Sequence, residues 1–406
     1  MSSEYIEDID RSARRAERIR EMKRKKRQQE RFRRIVRACL PFAAGAMVIV
    51  LLITVGVKVF HGITAPNDAS AEEIQTEPVE QTEVQQIEVN TEPVVEEEPV
   101  EAVPAYIASA NADTASLGED IISQHAILVN VNTDTIVAQR SADTRMVPAS
   151  MTKVLTLLVA VENITDLEDT FTIPIEITDY CYQNDCSAVG FAENETVTVR
   201  DLLYGTILQS GGDAALGLAE YVSGSQEAFV ELMNAKLDEL GLSDTAHFTN
   251  CIGIYDDNHY CTAYDMAMIM EAAMDNELCR EVLSAHKYTT SSTTEHPEGI
   301  SISNWFLRRI EDKDSGGTVV GGKTGYVVQS GNCAVSYAED SLGNAYVCAT
   351  ANSTSNWRCI YDHVDIYHRF LSGEAADETS DGAEENAATD AEIDEALGIE
   401  SGEHMD

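Results

Sequence analysis

Ser150 and Lys153 stand three residues apart in Pro148-Ala149-Ser150-Met151-Thr152-Lys153, immediately before the mostly apolar run VLTLLVAV. Residues three apart share one face of a helix. A polar group on such an apolar helix is driven into the interior, where desolvation pulls an ammonium pKa down from about 10.4. A neutral amine beside a hydroxyl is a general base beside a nucleophile. The same spacing recurs in Ser284-Ala285-His286-Lys287, so the tetrapeptide alone decides nothing. Residues further along the chain separate the two. Ser210 precedes Gly211-Gly212-Asp213, and Lys323-Thr324-Gly325 lies in the strand-like VVGGKTGYVV, both far enough beyond Ser150 to leave room for a block of helices. From Ser284 there is space for neither. On a strand edge, the lysine and threonine suit a carboxylate while the edge pairs with an extended peptide, and the paired glycines before them allow close approach of a ligand.

These residues need a scaffold that brings three separate segments together. HAILVNVN and TIVAQRS are short β-type runs around a polar turn and predict a hairpin. The helix SMTKVLTLLVAVENI comes next, then VRDLLYGTILQS, DAALGLAEYVS, QEAFVELMNAKLDELG and AYDMAMIMEAAMD. The chain returns to β character in TVVGGKTGYVV, GNCAVSYAE and NAYVCATA and closes with the helix NWRCIYDHVDIYHRFL. This order predicts an α+β fold, an antiparallel sheet flanked by helices with a helical subdomain, over residues 119–371. No glycine-rich nucleotide loop interrupts it.

Charge divides the rest of the chain. The 406 residues carry 28 Lys+Arg against 70 Asp+Glu, a net charge of −42, yet the arm at residues 1–37 is basic. Residues 38–58 hold an uncharged apolar stretch closed by Arg37 and Lys58, long enough to cross a bilayer as a helix. Its length and its long basic lead distinguish it from a cleaved signal peptide. The positive-inside rule places the arm in the cytoplasm, facing anionic lipids, and everything beyond Lys58 outside. The strongly acidic body makes nucleic acid an improbable partner. Residues 59–118 and 372–406, acidic and poor in aromatics, are expected to form a disordered stalk and tail. Eight of the nine cysteines lie beyond the membrane segment, with Cys181–Cys186 and Cys251–Cys261 spaced to close small loops and Cys333 and Cys348 flanking a hairpin. Their connectivity stays open, with free buried thiols as the alternative. No CxxC or HExxH pair supports a metal site, and no cofactor is expected.

As a set, ILVNVNTDTIVAQRSADTRMVPASMTK, TVRDLLYGTILQSGGDAA, FTNCIGIYDDNHYCTAYDMA and GGKTGYVVQSGNCAVS resemble the serine penicillin-recognising enzymes. Their three signatures are S-x-x-K, S-x-N and K-T-G, and the narrower likeness is to low-molecular-mass penicillin-binding proteins acting as D-Ala-D-Ala carboxypeptidases. The resemblance spans residues 120–371. It implies Ser150 as the acylated nucleophile, Lys153 as its base and Ser210 as a proton relay. Lys323, Thr324 and Gly325 would form the strand that holds the substrate carboxylate, with Arg358 assisting. The N–H groups of Ser150 and Tyr326 would form an oxyanion hole. Peptidoglycan stem peptides would be substrates and β-lactams covalent inhibitors. Two departures stand out: Gly212 replaces the asparagine of S-x-N, and Ile252 stands where many relatives have histidine. The first admits a catalytically weak penicillin or stem-peptide binder as an alternative. A β-lactamase of the same fold is the other, although no ExxLN segment lies between Ser210 and Lys323. If the missing amide is what weakens such a binder, restoring Asn at 212 is expected to raise turnover, measured as D-Ala release.

Overall fold

In the computed structural model the chain separates into two units, Met1–Glu101 and Ala102–Asp406. Residues 106–372, all in the second unit, are those the structure describes. The expected arm, membrane span, most of the stalk and all but the first residue of the tail lie outside the described residues. Among the described residues no helix is long and apolar enough to cross a membrane.

The fold opens with β1 (Ala115–Ser116), β2 (His125–Asn130) and β3 (Thr135–Arg140). A 3-10 turn, Ala149–Met151, leads into α1 (Thr152–Asn163), with β4 (Thr170–Thr172), α2 (Ile175–Gln183) and β5 (Thr196–Thr198) after it. Next come α3 (Val199–Leu208), α4 (Gly212–Ser223), α5 (Gln226–Glu239), α6 (Ala263–Asp275) and α7 (Glu277–Ser284). β6 (Lys287–Thr289), β7 (Ser301–Ser303) and α8 (Leu307–Ile310) precede β8 (Thr318–Val327), β9 (Gly331–Glu339), β10 (Ala345–Ser353) and the closing α9 (Asn356–Leu371). Six strands form one sheet in the order β1-β3-β2-β10-β9-β8, antiparallel except for the parallel pair of β1 and β3.

The sheet is covered on both faces, and strand alternation sorts the side chains. Ile127, Val129, Val335, Val347 and Ala349 join the large core with α1 and α6. Ala126, Leu128, Ala338 and Cys348 pack on the other face against Ile366, Tyr367 and Leu371 of α9. Residues of opposite parity thus bury on opposite sides, as the period-2 pleat requires. α1 is buried without a break from Thr152 to Ala160, so all but its last turn is central rather than at the surface. α3 and α6 each start with a reciprocal capping box, Thr198 with Asp201 and Thr262 with Asp265.

The hairpin, the helical block and the final β-β-β-α run keep the expected order. Three features differ. The folded unit begins before residue 119: Ala108 and Leu117 are buried and β1 pairs with β3, so residues 106–118 are not stalk. α2, α7, the four-residue α8 and the three-residue strands β4 to β7 were not expected: α2 lies in a polar, aromatic stretch, and the others are too short for a clear period. The serine of the first motif sits in the 3-10 turn rather than in α1 itself.

Asp362 of α9 ties the closing helix to the start of the sheet. Its carboxylate accepts from the N–H groups of Ile122 (3.0 Å) and Ser123 (2.8 Å) and from the Ser123 hydroxyl (2.5 Å). Replacing it leaves buried donors without acceptors. We expect Asp362→Ala to lower unfolding free energy by about 3 kcal/mol in urea denaturation, with Asp362→Asn recovering part of it; an unchanged midpoint would show that this tie carries no stability.

Candidate active site

The turn that carries Ser150 is built under strain. Ala149 has φ 46°, left-handed for a non-glycine residue, and it aims Ser150 across the start of α1. Gly253, at φ 85°, backs it: a Cβ there would lie 1.9 Å from the Ala149 carbonyl oxygen. Gly325 of β8 closes the other side, since its Cβ would lie 2.9 Å from the Ser150 nitrogen. Glycine at these two positions is what lets two loops and a strand converge on one serine.

Lys153, on the first turn of α1, is buried, and its Nζ stands 3.2 Å from Ser150 Oγ and 2.6 Å from the Ile252 carbonyl oxygen. Burial pulls the Lys153 amine below its ordinary value. An amine that has given up its proton keeps two N–H groups, one engaged by Ile252, and turns its lone pair to the Ser150 hydroxyl, which donates to it. Ile252 thus contributes its carbonyl to the site, and isoleucine serves there as well as any residue.

A second pair lies alongside. Lys323 of β8 is also buried, and its Nζ donates to Ser210 Oγ (2.9 Å) and to the Thr324 carbonyl (2.7 Å). Burial pushes this amine well below its ordinary value, and the neighbouring Lys153 pushes it further. Ser210, just past the end of α3, holds a left-handed φ of 58°. Because its oxygen accepts from Lys323, its own proton is left to be given away. The structure therefore gathers Ser150 with Lys153 and Ser210 with Lys323, the two amines near enough that the charge of Lys153 bears on Lys323.

The other candidates arrange around the edge strand. β8 pairs only with β9, leaving its outer edge unpaired by any other strand of the sheet. Thr324 lies opposite Ala334, which packs with Cys359 and Ile360 of α9, so Thr324 is on the α9 side of the sheet. Tyr326 is 61% exposed. Arg358, in the first turn of α9, acts electrostatically on Asp362 and Asp365 of its own helix and shares no hydrogen bond with the two serine–lysine pairs. The paired glycines before the motif serve packing rather than ligand approach: a Cβ on Gly322 would run into the Phe306 ring at 2.3 Å, and one on Gly321 would lie 3.1 Å from the Leu283 carbonyl.

Sequence reasoning missed three supports. Asn250 accepts from the N–H groups of Ile252 (3.2 Å), Gly253 (2.7 Å) and Ile254 (3.1 Å), folding the loop that meets Lys153. His259 is neutral, its pKa drawn down to about 3 by burial. Since the Thr249 N–H donates to Nδ1 (3.0 Å), its proton is on Nε2 and goes to Thr152 Oγ1 (2.8 Å), clamping the residue beside Lys153. Asp213 accepts from Val189, Gly190, Phe191 and Ala214, holding the 187–191 loop over Gly212. Asn250 and His259 fall in FTNCIGIYDDNHY, a matching segment whose polar residues were the available signal.

The family model for peptidase S11, D-alanyl-D-alanine carboxypeptidase, matches residues 109–350. The chain belongs to this family. It is 27% identical over 236 residues to D-alanyl-D-alanine carboxypeptidase DacF of Bacillus subtilis, a match covering 58% of this chain and 59% of the relative. It is 31% identical to the D-alanyl-D-alanine carboxypeptidase of Streptomyces sp. strain K15, covering 61% of this chain and 86% of that one. The match to DacA of Escherichia coli spans only 44% of that relative. Among solved structures, the Streptomyces K15 DD-transpeptidase superposes with a TM-score of 0.55 at 28% identity, over 61% of this chain and 97% of its own. The sheet with its helical block is therefore the α+β fold of penicillin-binding proteins and serine β-lactamases.

Gly212 now has a local explanation. A Cβ there would lie 2.9 Å from Cys186 Cβ and 3.2 Å from Cys181 Sγ, and its N–H donates to the Ser187 carbonyl (2.7 Å). In this S11 chain the room for the usual asparagine side chain is filled by two cysteines. This reverses the expectation drawn from the sequence: Gly212→Asn should lower stability by about 1–3 kcal/mol and slow acylation by penicillin. Thermal unfolding and a fluorescent-penicillin time course check both, and a faster, equally stable variant would refute the packing argument.

Proposed function

We propose that this chain is a membrane-anchored serine D-Ala-D-Ala carboxypeptidase acting outside the cell on peptidoglycan stem pentapeptides. The observation that carries the reading is the 3.2 Å approach of the buried Lys153 amine to Ser150 Oγ, beside the 2.9 Å pair of Lys323 and Ser210. The stem peptide adds as a strand along the free edge of β8, its terminal carboxylate near Lys323, Thr324 and Arg358. Lys153 takes the Ser150 proton, and Oγ attacks the carbonyl of the penultimate D-Ala. The N–H groups of Ser150 and Tyr326 stabilise the oxyanion. Ser210 gives its proton to the leaving D-Ala amine and is resupplied by Lys323. Water then hydrolyses the acyl-enzyme, whereas a β-lactam stops at this stage because its leaving group stays attached.

A low-turnover stem-peptide binder is the second reading, favoured by Gly212. The anchor, the outward orientation and contact of the basic arm with anionic lipid rest on the apolar stretch at 38–58 and its flanking charge. Protease added to intact spheroplasts should then remove the domain and spare the arm; an untouched domain would refute the orientation.

Incubating the purified protein with a stem pentapeptide should release D-Ala, and Ser150→Ala should cut that release by about 1000-fold or more. Release that survives the substitution would remove Ser150 from the mechanism; penicillin labelling without release would favour the binder. An added amine acceptor, such as glycine, reveals whether water is the only acceptor.

The base must be neutral to act. Because burial lowers the Lys153 pKa, its neutral form persists to lower pH than in a free lysine, and activity is lost as pH falls through the lowered value. Lys153→Arg, charged at every working pH, should be inactive across the whole profile in the same assay.

A further inference from the structure

Both tryptophans of the chain, Trp305 and Trp357, stand at one place, and guanidinium groups are stacked on them. Arg309 Cζ lies 5.3 Å from the centre of the Trp305 ring and 5.7 Å from that of Trp357, and Arg308 Cζ lies 5.0 Å from Trp305. These are cation–π distances. Phe306, Leu307 and Ile310 pack with Cys359, Ile360 and Val364, so α8 lies against the first turns of α9. Arg358, next to Trp357, brings a third guanidinium to the area. Lys287 adds a fourth cation: on β6 it pairs with Ser303, whose hydroxyl accepts from Arg308 (3.3 Å).

These four cations lack anions. Among the described residues, Arg200, Lys236, Arg280, Lys313 and Arg369 each meet a carboxylate, whereas Lys287, Arg308, Arg309 and Arg358 are in no ion pair. The acids nearby are engaged elsewhere: Glu311 meets His286 at 2.6 Å, Asp312 meets Lys313 at 2.6 Å, and Asp362 accepts from Ile122 and Ser123. Burial and the charge of Arg308 both work against the Arg309 cation. Stacking on a ring occupies the face of a guanidinium and leaves its N–H edge for a planar anion. That edge is little used here, since the side chains of Arg308 and Arg309 donate only to Ser303 Oγ and to the Trp305 carbonyl (3.5 Å). Four unpaired cations gathered in a strongly acidic chain repel one another, and an anionic partner relieves that repulsion.

The patch borders the free edge of β8. Asn304 donates to the Gly322 carbonyl (3.2 Å) and the Phe306 ring fits against Gly322, so Trp305, between them, stands beside β8 just before Lys323.

We propose that Trp305, Arg308, Arg309, Trp357 and Lys287 form a docking face for the peptidoglycan polymer, held through the carboxylates of stem peptides other than the one lying on β8. The choice of partner rests on the carboxypeptidase reading. Each stem peptide ends in a carboxylate, and hydrolysis of its last peptide bond leaves a new carboxylate on the shortened peptide. The polymer is therefore a repeating polyanion before and after trimming, and planar guanidiniums take carboxylates in bidentate fashion. Holding one stem peptide while another is cut raises the effective concentration of the next substrate. The polymer is thereby favoured over a free pentapeptide.

The full chain in detergent, with Ser150 first acylated by penicillin to block the β8 edge, is sedimented with insoluble peptidoglycan. Arg308→Glu combined with Lys287→Glu, both at exposed positions, should weaken binding about ten-fold, and Arg308→Lys should weaken it less. Amidating the carboxylates of the peptidoglycan should weaken binding of the unmodified protein to a similar extent and leave the double variant unaffected. This arm keeps the test decisive should the double variant fail to fold. D-Ala release from a soluble pentapeptide should be the same in the double variant, while release from the polymer falls. Sedimentation unchanged by the two substitutions, or indifferent to amidation, would overturn the docking face and leave the Ser150 assignment standing. Substitutions that weaken binding to anionic phospholipid vesicles and spare binding to peptidoglycan would assign the face to lipid and overturn the proposal equally. No D-Ala release from the soluble pentapeptide by the unmodified protein would overturn the proposed function itself.

Discussion

Two amines buried side by side without a carboxylate in contact are the constraint around which this domain is arranged. Lys153 and Lys323 are each almost wholly removed from solvent, and each lowers its charge affinity through burial. An isolated ammonium in such a place is costly enough that it tends to release its proton instead. The fold provides each amine with a serine hydroxyl and one backbone carbonyl, Ile252 for the first and Thr324 for the second. Those neutral acceptors suffice to orient an amine, yet they do not hold it charged. The partners that would abolish basicity are kept away, and the nearest acid, Asp213, is turned to backbone N–H groups.

Keeping the amines dry requires elements to approach more closely than side chains allow. The Ser150 turn is wedged between Gly253 and Gly325, with Ala149 and Ser210 both in left-handed conformations. Such residues each store about 1–3 kcal/mol, which only a rigid surround can retain. That surround is visible in Asn250, His259 and Thr152 on one side. On the other, Asn304 donates to the carbonyls of Leu283 and Gly322 and pins β8 to its neighbours. Among the described residues, every buried side-chain nitrogen and oxygen has a hydrogen-bond partner, so the site is preorganised rather than assembled on binding.

Much of this was legible in the residues themselves. Motif order placed Ser150, Lys153, Ser210 and Lys323, and periodicity found the hairpin, α1, α3 to α6, the last three strands and α9. What sequence could not show were effects of tertiary proximity. The two glycines before Lys323 read as room for a ligand, but the room is taken by Phe306 and Leu283, which arrive from distant segments. Tyr106 to Gly118 read as stalk because the stretch is short of large apolar residues, yet a few side chains such as Ala108 and Leu117 suffice when β3 already offers an edge. Asn250 and His259 carried no motif on their own, since their worth lies in which backbone groups they reach.

Gly212 shows how a departure from a motif is read differently in three dimensions. As a letter in S-x-N it is a loss, the removal of an amide from the site. As a volume it is the counterpart of Cys181 and Cys186, whose side chains occupy the space an asparagine would need. Exchanging an amide for two thiols leaves Lys153 with Ser150 Oγ and the Ile252 carbonyl as its hydrogen-bond partners. An amide at this place would bring N–H donors that compete with the Ser150 hydroxyl for the lone pair of a neutral Lys153, whereas sulfur filling the same volume is a weaker donor and leaves that lone pair to the serine.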